Sequence, residues 1–293
     1  MVTFTCCRIS ALFFRDHFGG FNVKKLALVL TAVAAFAGSA SAADLPPAAP
    51  VYTKAPVMPP PVANWTGCYI GGGGGYGLWN QENRDYEDPG FRGQTVRTAI
   101  TDTMTVGGRG YFGTLQGGCD YQFSVGAQQF VIGGFADGDW ANINGQNADG
   151  GHGIVANENL SSAWAFGGRI GWLAFPQLLT YFSAGYTQAT FDRQNFTTLF
   201  APFGTPAGVF IDKATYHGFF LGAGDEYALT FLPGLFWKTE YRVSQFDTRT
   251  NPFIFTATGL PTFESQDSRK WVQTVRTELV YRFNWGGPLV TKY

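Results

Sequence analysis

The chain has 293 residues, with 39 glycines, a 17% share of aromatic residues, only 14% charged residues and a formal net charge of −1. This composition excludes a disordered chain, which would be poor in aromatic residues, and it departs from that of an ordinary soluble helical domain. It also has no basic stripe of the kind that binds nucleic acid, so we expect no nucleic-acid partner.

The first 42 residues carry a secretory targeting signal. A basic pair, Lys24-Lys25, precedes the apolar run 26–36, and the small-residue motif ASA ends at Ala42. These are the three parts of a signal peptide, which we assign to residues 23–42. Residues 1–22 do nothing that a signal requires, and we interpret them as a non-native leader from a misplaced reading-frame start. Cleavage removes four basic residues and one acidic residue, which moves the net charge from −1 to −4.

Residues 43–63 are predicted to form a proline-rich periplasmic spacer. Seven prolines fall within residues 44–63. Such a segment adopts an extended, semi-rigid polyproline conformation. We interpret it as a tether, with a peptidoglycan contact as the alternative.

From residue 64 onward the chain alternates apolar and polar residues, which predicts β-strands. No run of about 18 apolar residues, the least that a membrane-spanning helix requires, occurs in this part. Long connections, at residues 81–105, 144–159, 196–212 and 251–268, alternate with short ones. Long loops on one side and short turns on the other are typical of an outer-membrane barrel. We predict an all-β, eight-stranded, antiparallel up-and-down transmembrane barrel over residues 64–293, with strands at 65–79, 106–123, 129–143, 160–175, 178–195, 213–230, 235–250 and 269–285.

The two faces of the predicted strands differ in chemistry. In the last strand Val275 and Leu279 share one face, and Arg276 and Glu278 share the other. This pattern favours apolar residues toward lipid and charged residues toward the lumen. An eight-stranded barrel is just wide enough for side chains to fill it. We therefore predict a plugged lumen that holds an internal charge network, formed by Arg169, Glu226, Lys238, Glu240, Arg242, Arg276, Glu278 and Arg282.

Tryptophans are expected at the two levels where hydrocarbon meets lipid headgroups. The eight tryptophans sort into a girdle near the short turns (Trp65, Trp172, Trp237, Trp285) and one near the long loops (Trp79, Trp140, Trp164, Trp271). Strict alternation, however, puts Trp65 and Trp79 on the face assigned to the lumen.

Five consecutive glycines, residues 71–75, contain part of the spacing Gly72-x-Gly74-x-x-Gly77 that is typical of dinucleotide-binding turns. Such a turn must be followed by a helix that presents its amino terminus to the pyrophosphate. Residues 78–90 lack a helical period and end in a turn. We interpret the glycines as giving lumen space to bulky Arg and Glu side chains and permitting strong strand coiling.

Five motifs resemble those of the small outer-membrane barrels of the opacity-protein and surface-antigen type, porin-family outer membrane proteins of alpha-proteobacteria. They are NWTGCYIGG at 64–72, QGGCDYQ at 116–122, GAGDEYA at 222–228, KTEYR at 238–242 and YRFNW at 281–285. The sequence departs from the family at Cys68, Cys119 and Asp225. Asp225 is expected to face lipid near the headgroups.

The resemblance implies a structural, surface-exposed protein of the cell outer membrane that maintains the membrane and displays its loops. It leaves a narrow porin or a haemin-binding protein as the alternative. The expected partners are outer-membrane lipid and lipopolysaccharide, the barrel-assembly machinery and host surfaces.

Few residues suggest chemistry. Alternation places Cys68 and Cys119 at the same end and on the same face of neighbouring strands, so they could form a disulfide, and two unlinked cysteines remain the alternative. His152 and His217 have no serine or carboxylate at a spacing that suggests a catalytic triad. We interpret them as solvated surface imidazoles, with haemin or metal binding by either as the alternative. Asp137-x-Asp139 breaks the calcium-loop pattern, and we place it on the polar face of the third strand. We therefore expect no enzyme activity, cofactor or metal.

Overall fold

The computed structural model describes residues 63–149, 151–200 and 202–283. The predicted leader, the signal peptide and nearly all of the spacer lie outside this part of the chain. No helix within it is long and apolar enough to cross a membrane.

Eight long antiparallel strands close into a ring, in which each strand pairs with its neighbours along the chain. The first strand pairs with the last from Cys68 opposite Phe283 to Glu87 opposite Glu264, which closes the sheet. A closed sheet leaves no unpaired strand edge. The ring consists of β1 (Gly67–Glu87), β3 (Met104–Val125), β4 (Gln128–Asp149), β5 (Ile154–Phe175), β6 (Leu178–Phe191), β9 (Ala214–Ala228), β10 (Leu235–Phe246) and β12 (Pro261–Phe283).

Four shorter strands, which bring the described total to twelve, lie at the end opposite the short turns. They are β2 (Thr98–Ala99), β7 (Gln194–Thr198), β8 (Pro206–Ile211) and β11 (Arg249–Phe255). β7 pairs with β5 and β8, and β11 pairs with β8 and β12. Together with the long strands they build a β-walled extension, by which we mean the part of the barrel wall beyond Leu78 of β1 and the corresponding level of the other strands.

The prediction of four long loops was therefore wrong in extent. Residues 144–159, for example, are mostly strand, because β4 runs to Asp149 and β5 resumes at Ile154. In this region the outward-facing side chains are polar, such as Asn144 and Asn157. The apolar alternation ends there, whereas backbone pairing continues because it needs no particular side chain.

The exterior carries an apolar belt between the short turns and the extension. On β1 the outward residues Ile70, Tyr76 and Leu78 belong to it, and on β12 so do Val275 and Leu279. Beyond Leu78 the outward residues of β1 become Asn80, Glu82 and Arg84, all exposed. The interior, by contrast, buries 15 of the 33 charged side chains in the described residues. This is the inverse of a soluble protein's arrangement.

The two predicted tryptophan girdles were wrong for Trp65 and Trp79, which are fully buried inside the ring. Their positions follow from alternation, since they share a face with Tyr69 and Gln81. Trp140, Trp164, Trp172 and Trp237 are exposed on the outside, and Trp271 is partly exposed. Trp285 lies outside the described residues.

The inward-facing glycines of β1 do not give space to the Arg and Glu side chains that we predicted: Gly71, Gly75 and Gly77 lie against apolar side chains, and Gly73 lies against the backbone of β12. A Cβ at Gly75 would lie 2.5 Å from the Phe112 ring, and one at Gly77 would lie 2.5 Å from Ile143 Cδ1. Each position therefore has to lack a side chain for its neighbour to fill the lumen.

We predict that Gly73→Ala lowers the free energy of unfolding by about 2–3 kcal/mol, because the new methyl group would collide with the backbone of Thr277 and Glu278 on β12 and overpacking costs this much. Gly72→Ala is the matched control, since its Cβ would meet only ordinary contacts at 3.6 and 3.7 Å. Urea unfolding of the two variants in lipid vesicles measures the difference. Equal stabilities would show that the close approach of β12 to Gly73 does not require a glycine at that position.

Candidate functional site

The lumen near the short turns is closed by a box of two arginines and two carboxylates. Arg282 of β12 lies 2.7 Å from Asp120 of β3 and 2.7 Å from Glu226 of β9. Arg169 of β5 bonds the same two carboxylates, at 2.9 Å to Glu226. Trp65 covers this box, since its carbonyl oxygen accepts a bond from Arg282 and its ring lies 5.0 Å from the Arg282 guanidinium. The four charges balance, which is what a buried ionic group requires.

A second ionic tier lies above the box, and its ion pairs cross the lumen. Asp137 of β4 bridges Arg242 at 2.9 Å and Arg276 at 3.2 Å. Arg276 also reaches Asp139 at 3.0 Å. Three further members, Lys238, Glu240 and Glu278, complete the tier, in which Lys238 lies 3.3 Å from Glu240 and 3.4 Å from Glu278. The structure thus places all eight predicted network residues inside the ring.

Sequence reasoning missed the carboxylates Asp120, Asp137 and Asp139 as members of this network, and also the pair Lys270 and Glu158. The predicted set held five cations and only three carboxylates. This excess of two cations indicated that carboxylates were missing from the predicted set, because a low-dielectric lumen does not tolerate an unbalanced excess of charge. Asp137 and Asp139 had already been placed on a polar face.

An aromatic tier follows toward the extension. Trp79 donates from Nε1 to the carbonyl of Ile143 at 3.0 Å. Lys270 pairs with Glu158 at 2.5 Å, and its ammonium group lies 4.2 Å from the Phe191 ring centre and 4.8 Å from that of Tyr216. The buried lysine is thus enclosed by rings and one carboxylate, an arrangement that stabilises a desolvated cation.

Above the aromatic tier, amide side chains fill the lumen. Asn147 donates to Gln194 at 2.6 Å and to Gln266 at 2.8 Å, and it accepts from Asn83 at 2.6 Å. Ser268 donates to Asn83 at 3.0 Å. These residues come from β1, β4, β7 and β12, so the network ties opposite walls of the extension together.

Little free volume separates these tiers. The cavity between the second ionic tier and the aromatic tier is lined by residues that include Phe112, Asp139, Leu160 and Arg276, and it measures about 30 Å³. A cavity of this size holds about one water molecule. The described lumen therefore contains no space for a solute at this level.

The outer mouth holds an acidic cluster around His152. His152 Nδ1 lies 3.0 Å from Asp149 and its Nε2 lies 3.5 Å from Glu264. Asp85, which is 2% exposed, accepts a bond from Gln266 at 2.8 Å. Burial raises the pKa of Asp85 to about 7, with the neighbouring Asp149 carboxylate adding to the effect. Burial also raises the pKa of Glu264. Burial opposes protonation of His152, but the bond to Asp149 and the charges of Asp149, Glu264 and Asp85 together outweigh it, so the pKa of His152 is raised.

All three pKa shifts have the same consequence for stability. Each group binds a proton more readily in the folded state, so local stability falls as pH rises. For Asp85 the loss falls between about pH 4 and about pH 7. We predict that amide protection factors at the β4–β5 tip fall on the order of tenfold between pH 5 and pH 8, since one pKa unit is worth about that factor.

Hydrogen exchange, corrected for intrinsic rates, measures this change. Asp85→Asn is expected to remove part of the pH dependence, whereas Glu82→Gln on the outer surface should leave it intact. Protection that rises with pH would contradict the assignment.

The remaining candidate residues lie apart from one another. Cys68 and Cys119 form a disulfide on the exterior near the short turns. His217 lies on the outside of β9 and shares a hydrogen bond with the Tyr186 hydroxyl. Asp225 faces outward and accepts a bond from Thr180 at 2.6 Å. In the described part of the chain no group of three or more His, Cys, Asp or Glu residues is placed to hold a metal ion.

No family model and no curated protein sequence matches this chain. Three similar solved structures are the attachment invasion locus protein Ail of Yersinia pestis, the outer membrane protease OmpT of Escherichia coli and the outer membrane protein AlkL. Ail is 11% identical, with 74% of this chain and 99% of that chain covered and a TM-score of 0.31. OmpT is 10% identical, with 73% and 97% covered and a TM-score of 0.34. AlkL is 11% identical, with 84% and 100% covered and a TM-score of 0.36. Likeness at this level supports no functional conclusion, which has to come from the geometry of this chain.

Proposed function

We propose that this protein is a structural, surface-exposed β-barrel of the bacterial outer membrane, with a closed lumen and a rigid extension that displays its outer connections. The observation that carries this proposal is the filled interior, where two ionic tiers, an aromatic tier and an amide tier follow one another along the axis. A frame of this kind holds loops in fixed positions without conducting solutes.

The exterior supports a membrane location. The apolar belt has residues such as Ile132, Phe166, Phe182 and Leu221 that are 49–60% exposed, as lipid-facing residues of a barrel are. A closed ring also satisfies the backbone groups that lipid cannot bond. The secretory signal predicted at residues 23–42 would direct export of the chain, which would then reach the barrel-assembly machinery.

The upper edge of the belt supports lipopolysaccharide as a partner. Arg109 of β3 is exposed on the exterior opposite Leu78, and Arg269 of β12 is exposed opposite Glu82. Guanidinium groups at the level of the headgroups bind phosphate well. We infer that these arginines contact anionic headgroups of the outer leaflet.

We also propose that the protein is not an enzyme. The His152 ring lies between two carboxylates, Asp149 and Glu264, and among the described residues no hydroxyl or thiol is hydrogen-bonded to it. Within residues 63–149, 151–200 and 202–283, the side-chain hydrogen-bond partner of His217 is Tyr186 on the outer surface. Among the described residues, no observation favours the alternatives of haemin binding or a narrow porin.

Conductance tests the proposal. Refolded protein in planar bilayers is expected to show no stable open channel, and liposomes that contain it should not swell in small sugars. The double variant Arg242→Ala with Arg276→Ala is the positive control. It lacks the two longest side chains of the second ionic tier, so we expect it to conduct ions and small solutes more readily than the unaltered protein. Large, stable channels from the unaltered protein would overturn the closed-lumen proposal.

A further inference from the structure

The outer mouth of the extension contains a cleft that the proposed structural role does not use. Its volume is about 290 Å³, near the lower end of the range of about 300–1,000 Å³ for small-molecule pockets. All four outer connections contribute to its walls. Phe91 comes from the β1–β3 connection, His152 from the β4–β5 turn, Val209 from β8 and Phe255 from β11.

The walls of this cleft are largely apolar and aromatic. Phe91 and Phe263 lie with ring centres 6.1 Å apart on one side. Phe255 and Phe263 remain 47% and 53% exposed, so their rings are available to a ligand. Exposed aromatic rings of this kind at a concave surface are typical of binding sites.

The floor of the cleft is closed. Ile154 and Phe253 line the cleft and belong to a buried apolar cluster with Phe196 and Ile211. Below that cluster lies the amide tier around Asn147. A molecule that enters from outside therefore stops in the cleft and does not pass into the lumen.

One edge of the cleft is acidic. Asp149 and Glu264 line it on either side of His152, and the Glu264 side chain is 25% exposed. Three further carboxylates, those of Asp85, Glu87 and Asp88, lie close enough to interact by charge with Asp149 or Glu264. The nearby cations are His152, Arg97 and Arg92. Arg97 is engaged with Asp88 and Asp267, and the Arg92 guanidinium lies 5.0 Å from the Phe91 ring centre. With Asp267 included, six carboxylates against three cations leave a negative potential.

We propose that this cleft binds a small organic cation that carries an apolar body, such as an alkyl- or aryl-ammonium compound. The charged head would lie at the edge formed by Asp149 and Glu264, and the body would pack against Phe91, Phe255 and Phe263. Aromatic faces and carboxylates attract ammonium groups together, through the ring quadrupole and through direct charge attraction. The site is formed only by residues of the outer mouth. The test of cation binding is therefore independent of the test of whether the lumen conducts.

Benzyltrimethylammonium is a suitable probe, with neopentylbenzene as its neutral isostere and benzylsulfonate as the anion. Equilibrium dialysis of the full mature protein in maltoside micelles at pH 8, against empty micelles, corrects for partitioning into detergent. Phosphocholine detergents must be avoided because their headgroups carry the same ammonium group. We expect saturable binding of the cation and much weaker binding of the other two compounds.

Substitutions then locate the site. Glu264→Gln should weaken cation binding about tenfold, which corresponds to about 1.4 kcal/mol, and Phe255→Ala at the exposed rim should weaken it several-fold. Glu82→Gln on the outer surface is the matched control and should change nothing. Heat-modifiable mobility confirms that each variant is folded. Rising salt should weaken binding to the unaltered protein, which provides a test that needs no variant.

Three results would overturn the proposal. One is the absence of saturable cation binding up to about 10 mM, weaker than even a millimolar site. Another is equal or tighter binding of the neutral or anionic probe. The third is an unchanged dissociation constant in folded Glu264→Gln and Phe255→Ala.

Discussion

Replacing Glu226 by glutamine is expected to lower the free energy of unfolding by about 3–5 kcal/mol, the usual cost of breaking a buried ion pair from one side. Glu226 is fully buried and binds Arg169 at 2.9 Å and Arg282 at 2.7 Å. The glutamine has nearly the same shape, so packing is preserved. It leaves two guanidinium groups with only Asp120 between them, however, and its amide group adds a donor where an acceptor is needed.

Asp225→Asn is the matched control for this prediction. Asp225 is the adjacent residue, but it points outward and bonds only Thr180 in the described residues. We expect a change below about 1 kcal/mol, since exposed charges contribute little. Reversible urea unfolding in lipid vesicles, followed by tryptophan fluorescence, measures both variants. A Glu226→Gln barrel as stable as the Asp225→Asn barrel would show that the lumen box does not hold the strands together.

A double substitution separates charge from shape in the same box. Glu226→Gln combined with Arg169→Gln removes one cation with the carboxylate, so Arg282 and Asp120 remain as a balanced pair at 2.7 Å. We expect the double variant to be less destabilised than the sum of the single variants, because residues in one ionic network are not additive.

Alternation allowed the face of each charged residue in the last strands to be predicted, because successive side chains of a strand point to opposite sides. Arg276, Glu278 and Arg282 accordingly lie inside. The partners could not be predicted in the same way. Asp120 is 49 residues from Arg169 and 162 residues from Arg282. These side chains meet because the stagger between strands places them at the same height in the lumen. The alternation of apolar and polar residues along one strand does not reveal that stagger.

The extension escaped prediction for a different reason. Its outward residues, such as Asn80 and Arg84, face water, and its inward residues, such as Asn83 and Asp85, are polar as well. With polar side chains on both faces no alternation is visible, although the backbone pairs continuously from Cys68 to Glu87. The cleft could not be predicted from the sequence either, because its walls come from four connections that were interpreted as separate loops.

Removing the disulfide between Cys68 and Cys119 is expected to lower the free energy of unfolding by about 2–4 kcal/mol. The two cysteines lie directly opposite each other on β1 and β3 and are 51 residues apart in the chain. A cross-link over a loop of this length restricts the unfolded chain, which is the main way in which disulfides stabilise proteins.

The comparison uses Cys68→Ala with Cys119→Ala, because alanine keeps both outward positions small and apolar. Reductant should destabilise the unaltered protein by the same amount and leave the double variant unchanged, which separates loss of the cross-link from loss of the side chains. Two free thiols in the denatured, unreduced protein would contradict the pairing. Equal unfolding free energies of the oxidised protein and the double variant would instead mean that β1 and β3 are already held in the unfolded chain, for example by adsorption to the membrane surface, where the cross-link has little freedom left to remove.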